Sequence, residues 1–328
     1  MKMKTKIVYS IVSDENDIFL EQALVSVYSL RFYNPNAIVI LVVDNGTDAT
    51  LQGNRGEILK YISEKVVVTP PKDLTKRQIS RYIKTSLRQY IQGDYLFIDS
   101  DTIITASLED CDNIKYPIAA VKDRHFTLHE HRCYGEILKY AKIINWNIKD
   151  SDLIYYNSGV FYVKDIEKTH EFYKMWHSIW LQSCKLGIDY DQPALGKTNS
   201  AFGNYIGEMN GIWNCQILSN GLPFLYGAKI LHYFNSNLKE DLCFAFILSD
   251  KKIYKEIKQK GLSDDLKKMI LSPHNQFITN CEIVGGKRLD FQYTDLYTLI
   301  WGLYTRCPNI YKLANKISKY MIKMILRK

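Results

Sequence analysis

The chain has 328 residues, 46% hydrophobic and 24% charged, with only 17 glycines and 8 prolines, a composition that excludes collagen-like, low-complexity and disordered chains. Its formal net charge of +8 is uneven: no acidic residue follows Asp295, whereas Arg306, Lys312, Lys316, Lys319, Lys323, Arg327 and Lys328 do. The body is close to neutral, which argues against a nucleic-acid binder, because such a domain presents a basic face.

In chain order, the lysine-rich start followed by the apolar run 7–12 has the outline of a secretory signal. It stops at Asp14-Glu15 without a small-residue cleavage site, so residues 6–12 read as a buried first strand. Helical spacing follows over 19–32, with Leu20, Ala23, Leu24, Val27 and Leu30 on one face. A β-branched run over 38–43 predicts a second strand, leaving through Asp44-Asn45-Gly46, a turn that tolerates positive φ. Val66-Val67-Val68 is a third strand, and 78–91 is again helical. Tyr95-Leu96-Phe97-Ile98 then makes a short buried strand running straight into Asp99-Ser100-Asp101. Such alternation predicts a mostly parallel sheet with helices on both faces.

Beyond it, 118–121 and 159–163 read as strands, and 166–182 as an amphipathic helix carrying Phe172, Trp176 and Trp180. The glycine-rich stretch 187–233 reads as irregular, and long irregular regions in compact domains usually form sites. Helical patterns dominate from about residue 239 onward. No stretch reaches the ~18 apolar residues needed to span a bilayer. Seven widely spaced cysteines, with no Cys-x-x-Cys pair, suit a reducing, intracellular compartment.

The sharpest chemical feature is Asp99 and Asp101 at the end of a buried strand, where open α/β sheets bind ligands. Two anions there call for a divalent cation, Mn²⁺ or Mg²⁺, completed by the phosphates of a nucleotide. The bland alternative is a pair of solvated turn aspartates. Among the histidines, His125 and His129 are spaced to share a helix face near His131 and Cys133, but matching zinc ligands are missing nearby, and the segment reads as an acceptor-binding loop.

The surrounding block resembles a known family. Ser80-Arg81-Tyr82-Ile83-Lys84-Thr85-Ser86-Leu87, followed by Tyr95 through Ile104 with its Asp-x-Asp, is similar to the heart of the family 8 glycosyltransferases and their relatives, which have the GT-A fold. Further pieces follow in the family's order: Ile11-Val12-Ser13-Asp14-Glu15-Asn16, Asn157-Ser158-Gly159-Val160, Asp191-Gln192, Trp213-Asn214 and Ile230-Leu231-His232-Tyr233. The resemblance covers about residues 6–240. It departs at Asp17, where an aromatic residue is usual, at Asn235 in place of a glycine, and at Lys239, one residue beyond the usual phosphate-binding lysine.

The resemblance implies a GT-A, Rossmann-like sheet in a transferase domain over 1–240, with a helical C-terminal region over 241–328. It further implies Mn²⁺ (or Mg²⁺) on Asp99, Asp101 and His232, and a UDP-sugar held by Asp14, Asn16, Arg81, Lys84, Asn157 and Lys239. Asp191 and Gln192 would stand at the reacting sugar carbon, and Asp123 is a further candidate to reach the sugar. The implied activity is transfer of a hexose to a hydroxyl of a surface glycan or lipid-linked acceptor, with retention of configuration. An inverting GT-A enzyme and a non-catalytic sugar-nucleotide binding protein are the rival readings.

In the tail, Lys312, Lys316, Lys319, Lys323 and Arg327 recur at helical spacing, interleaved with Ile310, Leu313, Ile317, Tyr320, Met321 and Met324. That pattern predicts a helix lying on an anionic membrane surface, hence peripheral attachment to the cytoplasmic face of the membrane. A packed terminal helix with a solvated lysine face is the alternative.

Overall fold

The computed structural model describes residues 3–233, 245–279, 282 and 284–325. It divides into two compact units, Met1–Ile278 and Thr279–Lys328.

The first unit opens with β1 (Lys6–Ile11), α1 (Phe19–Tyr33), β2 (Val39–Asp44), α2 (Asn45–Ala49), β3 (Glu64–Val68), α3 (Lys76–Ser86), β4 (Tyr95–Ile98) and β5 (Thr102–Ile104). Then come β6 (Ile118–Lys122), α4 (Tyr134–Ile143), β7 (Tyr156–Val163), α5 (Glu167–Lys185), α6 (Gln192–Ala201) and β8 (Ile206–Glu208). The short strands β9 (Cys215–Gln216) and β10 (Ile230–His232) and the helices α7 (Lys251–Lys260) and α8 (Asp264–Leu271) complete it.

Seven strands form the main sheet in the order β3-β2-β1-β4-β7-β6-β8. It is parallel except at β7, which runs antiparallel to both neighbours. Successive side chains of a strand point to opposite faces, and both faces are apolar here. Ile7, Tyr9, Leu41, Leu96 and Tyr162 pack on one side with α1, while Val8, Val42, Phe97 and Phe161 pack on the other with Phe172, Trp176 and Trp180 of α5. Burial on both faces explains why β2 and the second half of β7, residues 160–163, read as continuous apolar runs.

Three expectations are corrected. The segment after β2 is not a turn with positive φ but the short helix α2, because the Asp44 carboxylate accepts from the backbone N–H groups of Gly46 and Thr47, each at 3.1 Å, and so caps it. The pair His125 and His129 shares no helix face: His125 ends a short 3-10 turn with φ of 60°. The glycine-rich stretch 187–233, read as irregular, in fact contains α6 and three short strands. Asp191-Gln192-Pro193 places proline in the first turn of α6, where its missing N–H costs nothing.

The second unit carries α9 (Gly286–Gln292), α10 (Asp295–Arg306) and α11 (Pro308–Ile325). Thr294 caps α10 by accepting from the Tyr297 N–H, and no residue of α10 or α11 is buried. Among the described residues, no helix is long and apolar enough to cross a membrane.

Candidate active site

The sheet topology gathers the predicted residues at one edge. The parallel strands β1, β4 and β6 end there, and the antiparallel β7 begins there, so Asn157-Ser158-Gly159 lies beside Asp99. The Asp99 N–H donates to the Gly159 carbonyl at 2.7 Å, extending the β4–β7 ladder by one rung. In the small sheet, His232 pairs with Thr102 across β10 and β5, which carries the imidazole to the Asp99-Ser100-Asp101 turn. A cavity of about 940 Å³ opens on this edge, a size suited to a nucleotide-like ligand. Arg81, Lys84, Asp99, Asp101, Asn157, Asp191, Gln192 and His232 all line it.

Asp99, Asp101 and His232 each offer one ligand atom, and these atoms lie within 4.8 Å of one another. Among the described residues no other group of three such side chains is found. Two carboxylate oxygens and one imidazole nitrogen are a donor set suited to Mn²⁺ or Mg²⁺, so the residues present fit such an ion. Gly159 is what admits the cluster: a Cβ there would stand 2.5 Å from His232 Cε1 and 2.9 Å from Asp99 Oδ2. The two acids differ. Burial pushes Asp99 up, and Asp101 adds to the push, although Lys84 opposes it at 3.1 Å. Burial works most strongly against the charge of Asp101, but the protonated form of His232, 3.2 Å away, together with a backbone hydrogen bond and Lys84, holds that carboxyl below the usual range.

Thr75 and Gln78 start α3 with a reciprocal capping box, and Arg81 and Lys84 follow one turn apart on the cavity side. Lys84 is only 4% exposed, and its ammonium lies between Asp99 and Asp191, 3.8 Å from the latter. Arg81 Nε is 3.1 Å from Asp191 Oδ1, an ion pair without hydrogen-bond alignment. Asp191 sits at the start of α6 without capping it; its side chain instead accepts from Ser158 Oγ at 2.7 Å. Burial would raise its pKa, but Lys84 and Arg81 hold it below the usual carboxylate range. Gln192 donates through Nε2 to the Tyr156 carbonyl at 3.2 Å, which leaves Oε1 as its acceptor.

Sequence reasoning gave Asp123 and Asn157 without their neighbours. Asp123 accepts from Asn157 Nδ2 at 2.7 Å and contacts His131 Nε2 at 2.9 Å. These two bonds hold it below its ordinary pKa against the effect of burial. Asn157 in turn contacts Asn214, and Asn214 contacts His232.

Asp14 and Asn16 are not among the cavity-lining residues. Asp14 pairs with Lys76 at 2.7 Å, which lowers its pKa, and accepts from the Asn16 N–H. Lys76 does line the cavity, as does Phe19, an aromatic two residues beyond the Asp17 position where the resemblance departs. Lys258 of α7 donates to the carbonyls of Asp14, Glu15 and Asp17 and so fastens this loop. Lys239 and Asn235 lie outside the described residues.

At the level of sequence the chain matches no family model and no curated protein. Solved structures do resemble it. The galactosyltransferase LgtC in complex with donor and acceptor sugar analogs is 18% identical, with a TM-score of 0.50 over 80% of this chain and 99% of that one. Mouse xyloside xylosyltransferase 1 in its apo form is 12% identical, with a TM-score of 0.47 over 72% of this chain and 99% of that one. The glycosyltransferase GlyE of Streptococcus pneumoniae TIGR4 is 15% identical, with a TM-score of 0.49 over 86% of this chain and 66% of that one. The match to LgtC establishes the architecture: the chain has a GT-A-like fold, a mixed, mostly parallel seven-stranded sheet flanked by helices and followed by a helical C-terminal region.

Proposed function

We propose that the chain is a metal-dependent glycosyltransferase that moves a hexose from a UDP-sugar to a hydroxyl of a surface glycan or lipid-linked acceptor, with retention of configuration. The observation that carries this reading is the meeting of Asp99, Asp101 and His232, distant in sequence, at the wall of one large cavity. Mn²⁺ or Mg²⁺ held by these three residues would stabilise the charge that develops on a departing diphosphate.

The chain's own groups divide the remaining work. Arg81 and Lys84 are cations at the cavity wall, suited to pairing with phosphate oxygens. Phe19, the first residue of α1 just after the loop that Lys258 fastens, would offer a ring face for the base. Asp191, kept ionised by Lys84 and Arg81, would stabilise the positive charge that grows on the sugar ring. Gln192 Oε1 would assist it from the same side. Asn157 has both lone pairs of its oxygen engaged by Gly159 N–H and Asn214 Nδ2 and one amide hydrogen engaged by Asp123. It therefore has one N–H to offer, and it would donate to a sugar oxygen while Asp123 accepts from a sugar hydroxyl.

The basic, apolar helix α11 would attach the enzyme peripherally to an anionic membrane, where a lipid-linked acceptor resides. Titrating the purified protein with a panel of nucleotide sugars plus Mn²⁺ tests the reading, with metal-dependent hydrolysis of a UDP-hexose as the expected result. Asp99→Ala and Asp101→Ala should each abolish that hydrolysis with the fold intact by circular dichroism. Unchanged turnover in either variant refutes the site. Binding without turnover across an acceptor screen would identify a sugar-nucleotide binding protein, and the anomeric configuration of the product separates retention from inversion.

A further inference from the structure

Five buried side chains, Asp123, His131, Asn157, Asn214 and His232, form one connected series, and the direction of each bond in it is fixed by chemistry. The Gly159 N–H, which can only donate, lies 2.9 Å from Asn157 Oδ1, so that atom is the amide oxygen. Asn157 Nδ2 is then the atom facing Asp123 Oδ1 at 2.7 Å, as an acceptor-only carboxylate requires. Asn214 meets the Asn157 oxygen at 2.9 Å and must present its own Nδ2 there. Its Oδ1 therefore faces His232 Nδ1 at 2.9 Å, and that ring nitrogen must carry the hydrogen.

A neutral His232 then has its lone pair on Nε2, the nitrogen 3.2 Å from Asp101 Oδ1. A lone pair directed at a carboxylate is repulsive unless a cation stands with them, so the tautomer is the one a metal ligand needs. At the far end, the Cys133 N–H donates to His131 Nδ1 at 3.1 Å, so His131 Nε2 carries the hydrogen that goes to Asp123. Two backbone donors thus fix the directions, the Gly159 N–H at Asn157 and the Cys133 N–H at the His131 end.

We infer that Asn214 is a positioning residue shared by the metal and the donor sugar: one amide sets the His232 tautomer through its oxygen and orients Asn157 through its nitrogen. It is wholly buried and does not line the cavity, so it acts only through these two neighbours. The 3-10 turn Gly211–Asn214 sets its backbone, and the Asn210 side chain caps that turn by accepting from the Ile212 N–H. The inference rests on the proposed function for the identity of its ligands. It adds that metal affinity and sugar affinity are joined through one side chain and separable by changing its two ends.

The test measures two binding constants on the full chain, Mn²⁺ alone by electron paramagnetic resonance titration, and UDP-glucose or UDP-galactose at saturating Mn²⁺. Asn214→Ala removes both ends: Mn²⁺ affinity should fall about 10–100-fold, and the sugar nucleotide should weaken as well. Asn214→Asp keeps an acceptor for His232 Nδ1 but loses the donor to Asn157, so Mn²⁺ affinity should stay near native while sugar-nucleotide affinity falls as in the alanine variant. Native Mn²⁺ affinity in Asn214→Ala, or equal loss of it in both variants, overturns the inference. So does a native protein that binds no Mn²⁺. If Asn214→Ala does not fold, Asn214→Asp decides alone, since loss of Mn²⁺ binding or native sugar-nucleotide affinity in it overturns the proposal. Native protein that binds Mn²⁺ and a UDP-hexose but turns nothing over would sink the proposed activity and leave the role of Asn214 standing.

Discussion

Gly159 has no side chain, and that is its contribution. A methyl group at this position would meet His232 Cε1, Asn157 Oδ1 and Asp99 Oδ2 at under 3.0 Å, so these three side chains would have to shift. Because β7 is fully buried and paired on both sides, it cannot yield by bending outward. Gly159→Ala should therefore fold yet lose metal-dependent UDP-hexose hydrolysis by about a hundredfold, the scale of an ångström's misplacement. Steady-state rates beside a thermal melt check this. At this scale the sequence was legible where chemistry is local: Asp99 and Asp101 announce themselves as paired acids after an apolar strand, and the family resemblance pointed to His232. The bonding roles of Asn214 and His131 were not so legible, because a buried polar residue shows in the sequence as an interruption of the apolar pattern, while its partner is chosen by the fold.

Among the elements, the short turn after β6 carries backbone strain. Arg124 and His125 both have positive φ, 52° and 60°, a region costly to residues with a side chain. Gln216 holds them there: its Oε1 accepts from the Arg124 N–H at 2.6 Å, and its own N–H donates to His125 Nε2 at 3.2 Å. Burial pushes the His125 pKa down to about 4, against an ordinary value of about 6.5. Since the folded value is the lower one, stability is full above pH ~6.5 and declines as the pH falls toward 4, where the unfolded chain takes up a proton that the folded chain refuses. Urea unfolding at pH 7 and pH 4.5 should differ by on the order of 1–2 kcal/mol from this group, and His125→Gln should shrink that difference. Strand and helix periods made β1 to β4, α1, α3 and α5 legible within a few residues. The segment after β2 misled because Asp44-Asn45-Gly46 serves a turn and a helix cap equally well, and α6 hid in a glycine-rich stretch whose start signal is a single proline.

In the whole molecule, charge and exposure are concentrated in the C-terminal unit. On α11, Lys312, Lys316, Lys319 and Lys323 accompany Ile310, Leu313, Ile317 and Met324, all of them exposed. A lysine near an anionic bilayer contributes about 1 kcal/mol. Reversing Lys316, Lys319 and Lys323 to glutamate should therefore weaken sedimentation with phosphatidylserine vesicles by about a hundredfold or more, with UDP-hexose hydrolysis unchanged. Equal sedimentation of both proteins would remove the membrane from the proposal.

The long reach of two contacts governs when the site comes into being. Asp101 and His232 meet across 131 residues, and Lys258 fastens a loop 241 residues before it. On the ribosome, β1 to β7 can pair and bury their cores well before either late residue emerges from the exit tunnel. A nascent chain thus holds most of the main sheet with an unfinished pocket, which is completed only after His232 and Lys258 have emerged.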